Sequence, residues 1–181
     1  MKRIYFVLVC MAGFVMLTAC GGGNANKNAE AQEAEAIEQN EQTQADVSEL
    51  TLGDATNDNY VELVKARCGV DPTPGDGMEL DKAYGSPGNA NMKFKGAKGI
   101  EERDIQKIYF ERCQAAADGG TIYKLESDAE QGIHKGDPIN SFDDFNGVNW
   151  VYEYKGELVN CYVAKYGGSK GVDTFELRFG R

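Results

Sequence analysis

Few residues in this 181-residue chain have the type and spacing for chemistry, so those few set the first limits on function. His134 is the only histidine, and it lies in "QGIHKGDP", which reads as a polar turn. A serine triad or a multi-histidine zinc site would have to be assembled around it alone, which argues against both. "DPTPGDGMELD" and "DDFNG" concentrate acids and turn residues, but neither has the register of an EF-hand loop. "GAKGIEE" at 96–102 puts glycines and Lys98 just ahead of a helix, where free amides can hold an anion, yet it lacks the Walker spacing. "GGSKG" at 167–171 has similar letters but joins two strands, so it reads as a hairpin loop. No catalytic, cofactor-binding or metal-ligating residue is therefore assigned, and the chain reads as leaning away from an enzyme.

The clearest chemistry lies at Cys20. Lys2 and Arg3 precede Ile4 to Ala19, sixteen residues without a charge, which is short for a spanning helix and suits a signal peptide. Leu17, Thr18, Ala19 and Cys20 resemble the lipobox of bacterial lipoproteins, with leucine three before the cysteine and small residues preceding it. Cys10 lacks the pattern, because bulky Val9 precedes it and only a short apolar stretch leads to it. The resemblance covers residues 1–20. It implies a diacylglyceryl group on the Cys20 sulfur, cleavage before Cys20, and acylation of the new amino terminus by a fatty acid such as palmitate. Several acyl chains would hold the protein to a membrane in effect permanently. Gly21 stands where many inner-membrane lipoproteins carry aspartate, and "GGGNANKN" has no acid to act as a surface-export signal. The resemblance thus implies the cell envelope, with the periplasmic side of the outer membrane favoured over the inner membrane or the surface.

Composition divides the chain into a signal peptide at 1–19, a spacer at 20–56 and a domain at 57–181. The spacer has eight acids against Lys27 and no apolar stripe, so it reads as a disordered tether holding the domain roughly 30 to 35 Å from its anchor. Of the formal net charge of −10, the spacer holds −7 and the domain −5, offset by Lys2 and Arg3. That balance excludes nucleic acid and anionic lipid as partners of clustered charge. Export leaves Cys68, Cys113 and Cys161 in the domain, an odd number in a compartment that permits disulfides. Cys68 with Cys113 is the first choice for a bridge, Cys113 with Cys161 the second, and three buried thiols the alternative.

The elements that position these residues follow from periodicity. "NDNYVELVKARCG" reads as a helix capped by Asn57 or Asp58 and stopped at Gly69, followed by a loop holding Pro72, Pro74, Gly75, Gly77, Pro87 and Gly88. Residues 100–118 carry Ile105, Ile108, Tyr109, Arg112, Cys113 and Ala116 at helical spacing. From Thr121 the period is two: "TIYKLE" is a strand, 148–166 a hairpin turning at 155–157, and "VDTFELRFG" a last strand. Pairing across that turn puts Val148, Trp150, Tyr152 and Tyr154 on one face with Val159, Cys161 and Val163. The fold class is α+β, two helices packed on one face of a roughly four-stranded antiparallel sheet, preceded by a disordered tether. The function this supports is a lipid-anchored, non-enzymatic module that binds another envelope protein or polymer. The alternative is an envelope enzyme or small-ligand or metal-binding lipoprotein that uses acids of the 71–81 and 137–146 loops.

Overall fold

A computed structural model describes residues 46–130, 132–169 and 171–181. The signal peptide, Cys20 and most of the spacer lie outside the described residues. Within them, helices α1 (Tyr60–Cys68) and α2 (Glu102–Ala116) accompany seven strands: β1 Met78–Ser86, β2 Asn89–Ala97, β3 Ile122–Asp128, β4 Gly132–Ile139, β5 Asn149–Tyr154, β6 Glu157–Ser169 and β7 Val172–Gly180. All pair antiparallel in one sheet, in the order β1-β2-β7-β6-β5-β3-β4. The class is α+β as expected, but the sheet has seven strands where periodicity gave about four.

The extra strands come from two polar hairpins. Residues 78–97, expected as loop, form β1 and β2 around the two-residue turn Pro87-Gly88, with Gly88 at φ 73. Proline followed by a positive-φ glycine sets a tight reversal. β4 lies at the sheet edge, and its polar residues keep that edge soluble. The β5–β6 hairpin turns at Lys155 (φ 53) and Gly156 (φ 75), both left-handed, as a two-residue turn that matches strand twist demands. Gly156 N–H is held by Asp118 Oδ2 at 2.8 Å. The register pairs Trp150 with Cys161 and Tyr152 with Val159, the alignment expected from the sequence.

Those four side chains, with Met92, Phe94, Val163, Phe175, Leu177 and Phe179, form the inner face, each exposed by 1% or less. Both helices cover this face. Tyr152 O–H donates to Cys68 O at the end of α1 (2.8 Å), and Gln106 Nε2 of α2 donates to Val163 O (3.2 Å). α2 turns Ile105, Tyr109, Phe110 and Cys113 inward, and Phe110 meets Phe142, Phe145 and Trp150 with ring centroids 5.3 to 6.4 Å apart. Outward-facing Arg112 and the Tyr109 hydroxyl clamp the proline loop through the carbonyls of Asp71, Pro72 and Thr73.

Residues 47–56, assigned by composition to the spacer, are folded onto the sheet. Leu52 and Ala55 are each 4% exposed, and Thr56 bridges to Tyr84 of β1. Arg67 of α1 donates to Leu50 O (2.8 Å) and Ser48 O (2.7 Å). The segment approaches β1 so closely that only glycine fits at 85, where a Cβ would sit 1.7 Å from Gly53 O. The cap of α1 is correspondingly Asn59, whose Oδ1 accepts from Thr56 N–H (2.7 Å), while Asn57 Oδ1 accepts from Ala83 N–H of β1 instead.

Candidate functional site

The face of the sheet opposite the helices carries polar, charged and aromatic side chains in aligned rows. In β1, β2, β7 and β6 every second side chain points there, and the register aligns them in rows across the strands. One row runs Tyr84, Asn91, Arg178, Tyr162 and Asn149, from β1 to β5. Its neighbour runs Lys82, Lys93, Glu176 and Ala164. At about 4.8 Å per strand, the longer row spans roughly 19 Å.

The cations of this face rest on aromatic rings. Lys93 Nζ lies 5.9 Å from the Tyr84 centroid and 5.1 Å from that of Tyr166, while Lys82 Nζ lies 5.3 Å from Tyr84. The Arg178 guanidinium stacks 4.7 Å over Tyr162. Among the described residues none of these three cations has an ion-pair partner, although Glu176 is in register beside Lys93. Lys82 and Lys93 are moreover directly opposed across β1 and β2, a like-charge pair that works against the strand pairing.

The same face carries a cavity of about 340 Å³. Asn89, Gly180, Leu158 and Asn160 line it from the sheet, and Ile133 of β4 closes it from the other side. β3 pairs with β5 only from Ile122 to Lys124, and its ladder with β4 carries a bulge at Tyr123/Leu125. Lys135 fastens the β3–β4 arm by its pair with Glu153 (2.8 Å). Asn160 Oδ1 is buried here and accepts no hydrogen bond among the described residues.

The residues singled out from the sequence do not converge on this face. His134 lies on β4 rather than in a turn, opposite Glu126, with Nε2 3.5 Å from Glu126 Oε2 and Nδ1 3.9 Å from Asp128 Oδ2. Cys68, Cys113 and Cys161 are fully buried in the helix–sheet core and stand there as free thiols. Burial pushes the Cys68 thiol up to about 12 and raises that of Cys161 as well, which keeps both protonated and unreactive. Cys20 lies outside the described residues.

The amides of "GAKGIEE" are taken within the fold. Gly99 N–H donates to Asp173 Oδ2 (2.7 Å) and Lys98 N–H to Gly171 O (3.0 Å). Lys165 Nζ, 2.8 Å away, and the Gly99 amide hold the Asp173 carboxyl below the usual carboxylate range. The anion that the glycine spacing anticipated is thus a side chain of the same chain, supplied by β7 just after the "GGSKG" hairpin.

The acidic loops are likewise dispersed. Partial burial alone would raise the Asp71 carboxyl, but the Thr73 hydroxyl and amide and the Lys65 ammonium bring it down to about 2. Asp81 pairs with Lys95 (2.5 Å), Asp137 with Lys124 (3.7 Å), and Asp143 and Asp144 are exposed on the Phe142–Asp144 turn. Among the described residues no three His, Cys, Asp or Glu side chains are grouped to hold a metal ion.

Sequence reasoning recognised β3 and the mixed face of β5 and β6 but missed Lys82, Tyr84, Lys93 and the β4 half of the β3–β4 arm. The alternation of Ala90, Met92 and Phe94 with Asn91, Lys93 and Lys95 was the available signal for β2. Comparison with protein families, with curated proteins and with solved structures gives no match.

Proposed function

We propose that this protein is a lipid-anchored component of the bacterial envelope whose domain works as a non-enzymatic binding module, with the helix-free face of the sheet as its binding surface. The observation that carries the reading is the set of Lys82, Lys93 and Arg178, held over tyrosine rings without an ion pair among the described residues. Interior residues satisfy folding; an opposed lysine pair does not, and such conflicts between local and global stability concentrate at sites of function. The anchor rests on the resemblance of Leu17 to Cys20 to a lipobox, and the acidic spacer gives the domain reach away from lipid.

Two experiments test the two halves. Cys20→Ala should abolish palmitate labelling in cells and release the protein from membranes; unchanged labelling refutes the anchor. A photo-cross-linking residue at Tyr166, on the helix-free face, should form adducts in intact cells, whereas one at Glu111 on α2 should not. Equal labelling from both positions, or none from either, refutes the surface. A small-ligand reading is favoured by one observation, the cavity beneath Ile133 with the unpartnered Asn160 Oδ1. A thermal-shift screen decides it, since ligands that enter the cavity raise the melting temperature.

A further inference from the structure

We infer that the partner of the helix-free face is an anionic glycan, a polysaccharide bearing carboxylates, that lies across β1, β2, β7 and β6. The inference rests on the binding-surface reading above and gives it a ligand class. Charge sets the sign. The chain is acidic as a whole, at −10, yet Lys82, Lys93 and Arg178 stand on this face without an ion pair among the described residues, beside Glu176 and the Lys95–Asp81 pair. An anion between Lys82 and Lys93 relieves the repulsion of their opposed register, which among the described residues only the Tyr84 and Tyr166 rings and the neighbouring Glu176 offset, without an ion pair to either lysine.

The remaining partner classes fail on the same surface. Three cations are too few for the phosphate contacts that nucleic acids need, and the acidic spacer repels an anionic bilayer. A protein edge strand could add only at β1 or β4 and would leave the face uncovered, because β2, β7 and β6 are already paired on both sides. A folded protein partner needs an apolar interface core, but among the described residues the only large hydrophobics left exposed are Ile133 and Tyr166, on separate parts of the sheet.

What the face does offer is what a charged sugar chain uses. Tyr84, Tyr162 and Tyr166 present rings and hydroxyls, Thr174 and Asn149 add polar groups, and Arg178 offers a planar fork to a carboxylate. Stacking on tyrosine holds each cation in place before the ligand arrives, which lowers the ordering cost of binding. The width of about 14 Å from β1 to β6 suits a few linked rings better than a single small anion.

The test is gel retardation of the full chain in detergent, with polygalacturonate, dextran or polyglutamate in the matrix. Retardation by polygalacturonate alone is expected, and added salt should weaken it. Lys82→Gln with Lys93→Gln should raise the apparent Kd by about tenfold or more, whereas Lys107→Gln on α2 should leave it unchanged; melting curves confirm that each variant is folded. Equal retardation by dextran shows that charge is not read and overturns the inference. Equal or stronger retardation by polyglutamate shows a reader of acidic polypeptide and also overturns it, as does no retardation at all. If Tyr166 nevertheless cross-links to a cellular protein, the binding surface stands and only the glycan falls.

Discussion

Gly85→Ala is the substitution that most directly tests how the chain enters its domain. The new Cβ would lie 1.7 Å from Gly53 O and 2.2 Å from Gly53 C. A carbon and a carbonyl oxygen come no closer than about 3.3 Å, so the peptide at 53 must retreat by roughly 1.6 Å. It cannot retreat alone, because Leu52 and Ala55 are each 4% exposed on either side of it and Thr56 is bridged to Tyr84. The segment must therefore leave β1. Losing the burial of one leucine and one alanine costs about 3 kcal/mol, the freed backbone entropy returning part of it.

Urea unfolding can measure this, with the buried Trp150, the only tryptophan in the chain, as the fluorescent reporter. With a slope near 1.5 kcal/mol per molar, the midpoint should fall by about 2 M. Leu52→Ala should cost about 2 to 3 kcal/mol by itself. The double variant should cost little more than either single one, since a displaced segment no longer needs Leu52. A Gly85→Ala midpoint close to wild type would refute the docked segment. Fully additive losses would show that Gly85 and Leu52 act through separate contacts.

Acid should destabilise the protein through Asp71, whose folded-state pKa lies near 2, below the unfolded value of about 3.9. The stabilisation is complete above pH 4 and is lost as pH falls through 2; with the side chain 43% exposed it amounts to about 1 kcal/mol, and Asp71→Asn should flatten urea midpoints measured between pH 6 and pH 2. Gln106→Ala removes the donor to Val163 O and should lower stability by about 1 to 2 kcal/mol in thermal melts. Cys68, Cys113 and Cys161 should resist alkylation in the native protein and all react on unfolding; a mass lower by two hydrogens in the purified chain would show a disulfide instead.

What the sequence disclosed depended on how much apolar side chain each element carries. α2 was legible because Ile105, Tyr109 and Cys113 recur at helical spacing, and the β5–β6 hairpin because Trp150, Tyr152, Val159 and Cys161 alternate around a Lys-Gly turn. β1 and β4 were not, because an edge strand buries little and gains its ladder from one neighbour only. In β1 the bulge between Leu80 and Lys82 also breaks the alternation, and β4 has only Ile133 and Ile139 as apolar residues, too far apart to show a period, with Pro138 near its end. The glycine loop at 96–99 was read for a ligand when its partner, Asp173, lies far along the chain. The rows of the helix-free face were illegible for a related reason: Tyr84, Arg178 and Tyr162 become neighbours only through strand order.

That order also governs how the domain can form. β7 is last of the seven strands along the chain yet sits between β2 and β6, where Met92 and Val163 both pair with Leu177. The β1–β2 hairpin and the remaining four strands share no other ladder, so neither half can join the sheet until residues 172–180 are available. Such distant pairings slow folding, because the loop entropy is lost before the contacts repay it. A chain that emerges from its amino terminus would accordingly pair its two halves separately and join them into one sheet only in a late step.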